Sequence, residues 1–180
     1  MKRFLKSRVF LILVISGVVI LLLALFFGRA KPVKIGEIEY FHFSYSNGSM
    51  ANSSVSYAME LKDGGYTASI KPLYEPEESR RFFAVDESFA RELEQLLVQY
   101  KVGKWNGFHK FNKMVMDGDN FRLSVMMTDG TTLDASGYMK WPKNYPEVRG
   151  GIEELFARAM AEGAPLENPD AEKTPEPPNA

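Results

Sequence analysis

Residues 9–27 of this 180-residue chain carry no charged side chain and no proline, and read almost without interruption as Val, Leu, Ile, Ala and Phe. A helix rises about 1.5 Å per residue, so a bilayer core about 30 Å thick takes roughly 20 residues, the length of the run 9–28. The run predicts a transmembrane helix, an uncleaved signal-anchor that makes the chain an integral, single-pass membrane protein. A cleavable signal peptide has a shorter apolar region, about 7–15 residues. The rival reading is cleavage, because Gly28-Arg29-Ala30 sets small residues at the spacing a signal peptidase uses. No cysteine follows the run, which excludes a lipid-modified lipoprotein. Lys2, Arg3, Lys6 and Arg8 precede it and Arg29, Lys31 and Lys34 follow, so the positive-inside bias favours a cytoplasmic N-terminus and an extracytoplasmic domain.

The expected organisation is a cytoplasmic flank 1–8, the anchor 9–28, a juxtamembrane linker 29–34, a folded domain 35–162 and a disordered tail 163–180. The linker is too short for a stalk, so the domain is expected close to the bilayer. The tail holds five prolines and four acidic residues, with Leu166 as its one large apolar side chain, too little burial to offset the entropy of ordering. Zero cysteines leave no disulfides, which fits a cell envelope of Gram-positive type. The formal net charge is −1, and the basic N-terminal flank offsets a mildly acidic remainder, which argues against nucleic acid as a partner. Asn47-Gly48-Ser49 and Asn52-Ser53-Ser54 match the glycosylation sequon, but in a Gly/Ser/Asn-rich stretch they read as turn composition.

Within the domain, residues 35–46 and 54–62 alternate apolar with polar side chains, and Asp63-Gly64-Gly65 is a hairpin turn into a third strand, 66–74. A short fourth strand fits residues 81–85. The period then changes. Phe89, Leu93, Leu96, Leu97 and Tyr100 form the stripe of an amphipathic helix capped by Asp86 and ended near Gly103. Residues 121–127 and 131–138 flank Asp129-Gly130 as a second hairpin. Pro146 opens a final helix with Val148, Ile152, Leu155, Phe156 and Met160 on one side, and Gly150-Gly151 suggests a close approach to the sheet. The expected fold class is α+β: an antiparallel sheet in the order β-β-β-(β)-α-β-β-α with the helices packed on one face.

No common hydrolase or metal template is complete in the chain, which has His42 and His109 as its only histidines. No catalytic residue, metal site or cofactor is therefore assigned. His42 reads as a half-buried strand residue. Asp117-Gly118-Asp119-Asn120 places carboxylates at alternate positions, as calcium loops do, but lacks the distal bidentate Glu and reads as a turn before a strand. The segment 101–113 stands out. No acidic residue occurs between Gln95 and Met116, while Lys101, Lys104, Lys110 and Lys113 interleave with Trp105, Phe108, His109 and Phe111. Such a segment sets cations beside anionic headgroups or polymer phosphates, with aromatics at an interface or against sugar. Its bland counterpart has Trp105 and Phe108 turned inward as a plug and the lysines merely solvated. The candidate binding residues are Lys101, Lys104, Trp105, Phe108, His109, Lys110 and Lys113.

The ordered series Trp105-Asn106-Gly107-Phe108, Asp117-Gly118 with Phe121 and Leu123, Asp129-Gly130, Ala135-Ser136-Gly137-Tyr138, then Pro142 and Tyr145 resembles an uncharacterised domain of Gram-positive-type envelope proteins and lipoproteins. The resemblance covers roughly residues 93–156. It implies an envelope location and carries no activity. The chain departs from that pattern in its apolar run, which stands where a lipidated cysteine would.

Three functions are compatible with these observations. The first is a non-enzymatic interaction or sensory module close to the bilayer, with another envelope protein or an anionic envelope polymer as partner. The second is a hydrolase acting on a membrane-proximal glycan or lipid, since two carboxylates need no linear motif. The third is an accessory subunit of a membrane complex.

Overall fold

The computed structural model describes residues 30–48, 54–115 and 117–167. The chain divides into two compact units, Met1–Lys31 and Pro32–Ala180, and almost all of the first lies outside the described residues. In the second unit the order is β1 (Ile38–Ser46), β2 (Val55–Lys62), β3 (Gly65–Pro72), β4 (Arg81–Val85), α1 (Glu87–Gln99), β5 (Phe108–Phe111), β6 (Asn120–Met127), β7 (Thr132–Tyr138), α2 (Tyr145–Glu162) and β8 (Pro165–Leu166). All the strands join one sheet, ordered β5-β7-β6-β1-β2-β3-β4-β8.

Two expectations are corrected by this architecture. The sheet is not the antiparallel sheet of five or six strands read from sequence. It is a mixed, eight-stranded sheet that dominates the two helices, with β5 running parallel to β7 at one edge and β8 added to β4 at the other. The physical reason is length. Strands of four and two residues are too short to display a period, and their partners lie far along the chain. The second correction concerns the expected transmembrane signal-anchor. Among the described residues no helix is long and apolar enough to cross a membrane. Residues 9–28, on which that expectation fell, lie outside them, as do residues 168–180 of the expected disordered tail.

Most of the remaining framework follows from local chemistry. Asp86 caps α1 by accepting the Phe89 backbone N–H at 3.0 Å. Asp63 and Gly64 turn the β2–β3 hairpin with φ of 53° and 79°, left-handed values that Asp tolerates and Gly adopts freely. A bulge in β1 between Ile38 and Tyr40 resets the alternation. Ile38, Phe41, Phe43 and Tyr45 consequently all face inward, whereas unbroken alternation would have put Tyr40 there and Phe41 outside.

Both helices contribute to a single core with that face of the sheet. Phe156 of α2 stacks on Phe41 of β1 and meets Phe89 of α1 edge-on at 5.1 Å. Leu93, Leu97, Ile152 and Leu155 are buried beside them, and Leu96 is half-buried. Burial of each such side chain contributes about 1.5–3 kcal/mol. The helices cross where Gly151 faces Leu96: a Cβ on Gly151 would lie 2.5 Å from Leu96 Cδ1. The close approach expected at Gly150-Gly151 is therefore to α1 instead of the sheet. At Gly150 a Cβ would meet nothing within 4 Å.

The opposite face of the sheet is more polar, though Phe82, Met126 and Tyr138 share it by register. His42, Ser56, Ser69, Ser124, Asp134 and Ser136 lie along it, and residues 73–80 fold over one end, where Tyr74 Oη bonds Ser46 Oγ at 2.6 Å and Arg80 reaches Ser69.

Candidate functional site

The segment from Lys101 to Trp105 leaves α1 in an unusual way. Lys101 adopts the left-handed conformation, φ 58°, ψ 39°, at the end of the helix, and a single turn, Val102–Trp105, follows. A left-handed non-glycine residue costs on the order of 1 kcal/mol, so the surroundings must enforce it. Three contacts do so. Trp105 is buried, and its Nε1–H donates to the Lys143 carbonyl at 3.1 Å. Asn144, also left-handed at φ 64°, donates from Nδ2 to the Tyr100 carbonyl at 3.2 Å. Val33 donates its N–H to the Gly103 carbonyl at 3.0 Å, and a Cβ on Gly103 would lie 2.0 Å from the Val33 carbonyl oxygen. The loop after α1 and the turn before α2 are thus stapled together, with the chain's approach to β1 behind them.

This stapling encloses a hollow of about 510 Å³ with Tyr100, Trp105, Phe108, Trp141 and Pro142 as its apolar lining. Lys101, Lys104 and Lys143 lie on its rim, and among the described residues no carboxylate lines it. Among the described residues none of these three ammonium groups takes part in an ion pair. Lys101 also stands at the C-terminal end of α1, the end whose dipole favours a cation. Trp141 remains 40% exposed, one ring face held against Tyr145 at 4.6 Å. Burial keeps the Tyr145 hydroxyl neutral far above the usual tyrosine range, so the ring behind Trp141 is an uncharged prop.

The sequence candidates are divided by this geometry. Lys101, Lys104, Trp105 and Phe108 come together at the hollow, Trp105 and Phe108 as its floor, so the plug and the cationic surface coexist. His109, Lys110 and Lys113 do not join them. Lys110 is exposed on the edge strand β5 and Lys113 lies in the turn beyond it. His109 points to the polar face of the sheet, where Nδ1 bonds Ser136 Oγ at 2.9 Å.

His109 also lies near Asp134, its Nε2 3.7 Å from Oδ1, so a serine, a histidine and an aspartate are neighbours. The separation exceeds a hydrogen bond, and Asp134 Oδ2 instead accepts from Ser124 Oγ at 2.8 Å. A nucleophile-activating relay needs the base oriented by its acid, and here the acid is engaged across the strands. The trio is a cross-strand polar network. His42 is likewise tied to Ser56 Oγ at 3.0 Å, and among the described residues no group of His, Asp and Glu is arranged to hold a metal ion.

Sequence reasoning missed Trp141 and Lys143. The signal was present in Trp141-Pro142-Lys143-Asn144-Tyr145, the same interleaving of ring and cation as in 101–113, set just before a helix. Only the fold reveals that the two segments share one hollow.

No protein-family model matches the chain, and no curated protein matches it either. The resemblance to the uncharacterised envelope domain thus gains nothing from these comparisons.

Proposed function

We propose that this is a non-enzymatic binding module that receives an anionic group, a phosphate or carboxylate on an envelope polymer, in the lysine-rimmed hollow. The observation that carries the reading is the charge arrangement: three lysines around an aromatic floor, with no lining carboxylate among the described residues to compensate them. Like charges brought together repel, and an anion at their centre relieves that repulsion while the rings accept the apolar part of its carrier. The engagement of Asp134 by Ser124 argues against a serine–histidine–aspartate relay at His109.

The test is a titration of the full chain with inorganic polyphosphate and with neutral dextran at low and high salt. Polyphosphate should bind and dextran should not compete with it at this hollow, and the affinity should fall as salt shortens the range of the attraction. A lysine near an anionic surface contributes about 1 kcal/mol, so replacing Lys101, Lys104 and Lys143 together with Gln should weaken binding roughly a hundredfold. Lys110→Gln with Lys113→Gln serves as the control. Equal losses in the two variants, or salt-independent binding, would overturn the reading.

A further inference from the structure

Trp141 also walls a second hollow, of about 400 Å³, where the end of β1, the start of β6 and the first turns of α2 meet. Its other side is chemically different. Tyr45 and Tyr145 complete an aromatic surface, and the polar lining is Ser46, Asn47, Asp119, Asn120, Arg149 and Glu153. The Arg149 guanidinium lies 3.6 Å over the Tyr45 ring and donates from Nε to Glu153 Oε1 at 2.6 Å, so both are pre-positioned. Asp119 is fixed by the Gly48 N–H at 3.2 Å and holds the Met139 N–H through its own carbonyl. Trp141 is supported in turn, stacked on Tyr145, which packs against Phe121 at 4.8 Å.

Gly150 lines this hollow within α2. Glycine in a helix interior is unfavourable relative to alanine, so its presence calls for a reason such as a neighbour that leaves no room. Gly151 is accounted for by Leu96. Gly150 is not, because a Cβ there would meet nothing within 4 Å. The space over Gly150 is therefore free within the fold itself, in a hollow whose lining also includes the partly exposed indole of Trp141.

We infer that this second hollow binds a neutral pyranose ring, stacked on Trp141 and lying over Gly150. A pyranose has an apolar face of C–H groups suited to an indole, and vicinal hydroxyls suited to the planar carboxylate, amide and guanidinium groups of Asp119, Asn120 and Arg149. The charges here are mixed, in contrast with the all-cationic rim of the first hollow, so the occupant is a neutral sugar. This inference does not depend on anion binding at the lysine hollow, and the two sites are separable by substitution.

The experiment uses the intrinsic fluorescence of the full chain. Trp105 and Trp141 are the two tryptophans, and Trp105 is buried, so a ligand that covers Trp141 shifts emission to the blue. The probes are the β-1,4-linked tetrasaccharides of glucose and of N-acetylglucosamine, titrated to millimolar concentration. At least one should give a saturable shift. Gly150→Phe should weaken it tenfold or more while the melting temperature stays at or above that of the parent chain. The variant with Gln at Lys101, Lys104 and Lys143 should bind the same sugar unchanged. The inference is overturned if neither tetrasaccharide gives a saturable shift, if Gly150→Phe binds as the parent does, or if the lysine variant loses sugar binding. Loss of polyphosphate binding in the lysine variant with sugar binding retained distinguishes the two hollows.

Discussion

At the scale of single residues, His42 gives the sharpest expectation. Its ring is half-buried on the polar face of the sheet, bonded to Ser56. Burial, reinforced by the positive charges of Arg80 and Arg122, holds its pKa below the ordinary value. The folded chain therefore refuses a proton that the unfolded chain accepts. Stability should be level above about pH 7, fall as the pH drops through about 6.5, and stop falling below the folded-state pKa. Chemical denaturation at about pH 7.5 and about pH 5.5 should show this loss in the parent chain and a smaller one in His42→Gln. An identical pH slope in the two would assign the proton to another group. His42 was legible as a half-buried strand residue because alternation alone places it. The bond from His109 to Ser136 was not, since those residues are brought together only by the parallel pairing of β5 with β7. Asp86 lies between these cases: a cap acts within three residues and can be read locally.

Among the elements, α2 contains a matched pair of tests in adjacent positions. Gly150→Ala should raise stability by up to about 1 kcal/mol, since the new methyl meets no neighbour and the helix gains propensity. Gly151→Ala drives its methyl into the branched end of Leu96, and overpacking of this kind costs about 1–3 kcal/mol. Urea midpoints should therefore separate the two variants, with Gly150→Ala the more stable. Coincident midpoints would mean that α1 and α2 cross with more slack than the contact distances give. The helices themselves were legible because their stripes run for three turns or more. The sign that a glycine marks a close approach was legible too, but its partner was not. Periodicity identifies the buried side of a helix without saying which element it meets. The bulge in β1 escaped notice because a single inserted residue leaves each half of the strand still alternating. The cationic hollow escaped for a related reason: Lys101 and Lys104 sit at one end of a helix, and Lys143 arrives from a turn before another.

For the whole molecule, the sheet order sets what holds the edges. β8 consists of two residues, yet it covers β4: Leu166 lies opposite Phe82, Pro165 opposite Phe83, and the Ala84 N–H donates to the Ala164 carbonyl at 3.2 Å. The sheet thus continues past residue 162, where sequence composition had placed the end of the domain. Deleting residues 164–180 should lower stability by about 1–3 kcal/mol, since each lost hydrogen bond contributes about 1 kcal/mol and Phe82 and Phe83 gain exposure. It should also promote self-association through the bared β4 edge. Denaturation and light scattering on the truncated chain check both, and an unchanged midpoint in a monodisperse sample would show that β8 contributes nothing. The central strand, too, waits for a partner from far along the chain. β1 lies between β2 and β6, and β6 begins about 74 residues after β1 ends. At a synthesis rate of about 5–20 residues per second, one side of the ribbon bearing Phe41, Phe43 and Tyr45 stays without its partner for roughly 4–15 s. On a crowded polysome, neighbouring nascent chains compete during that interval for the place that β6 later takes.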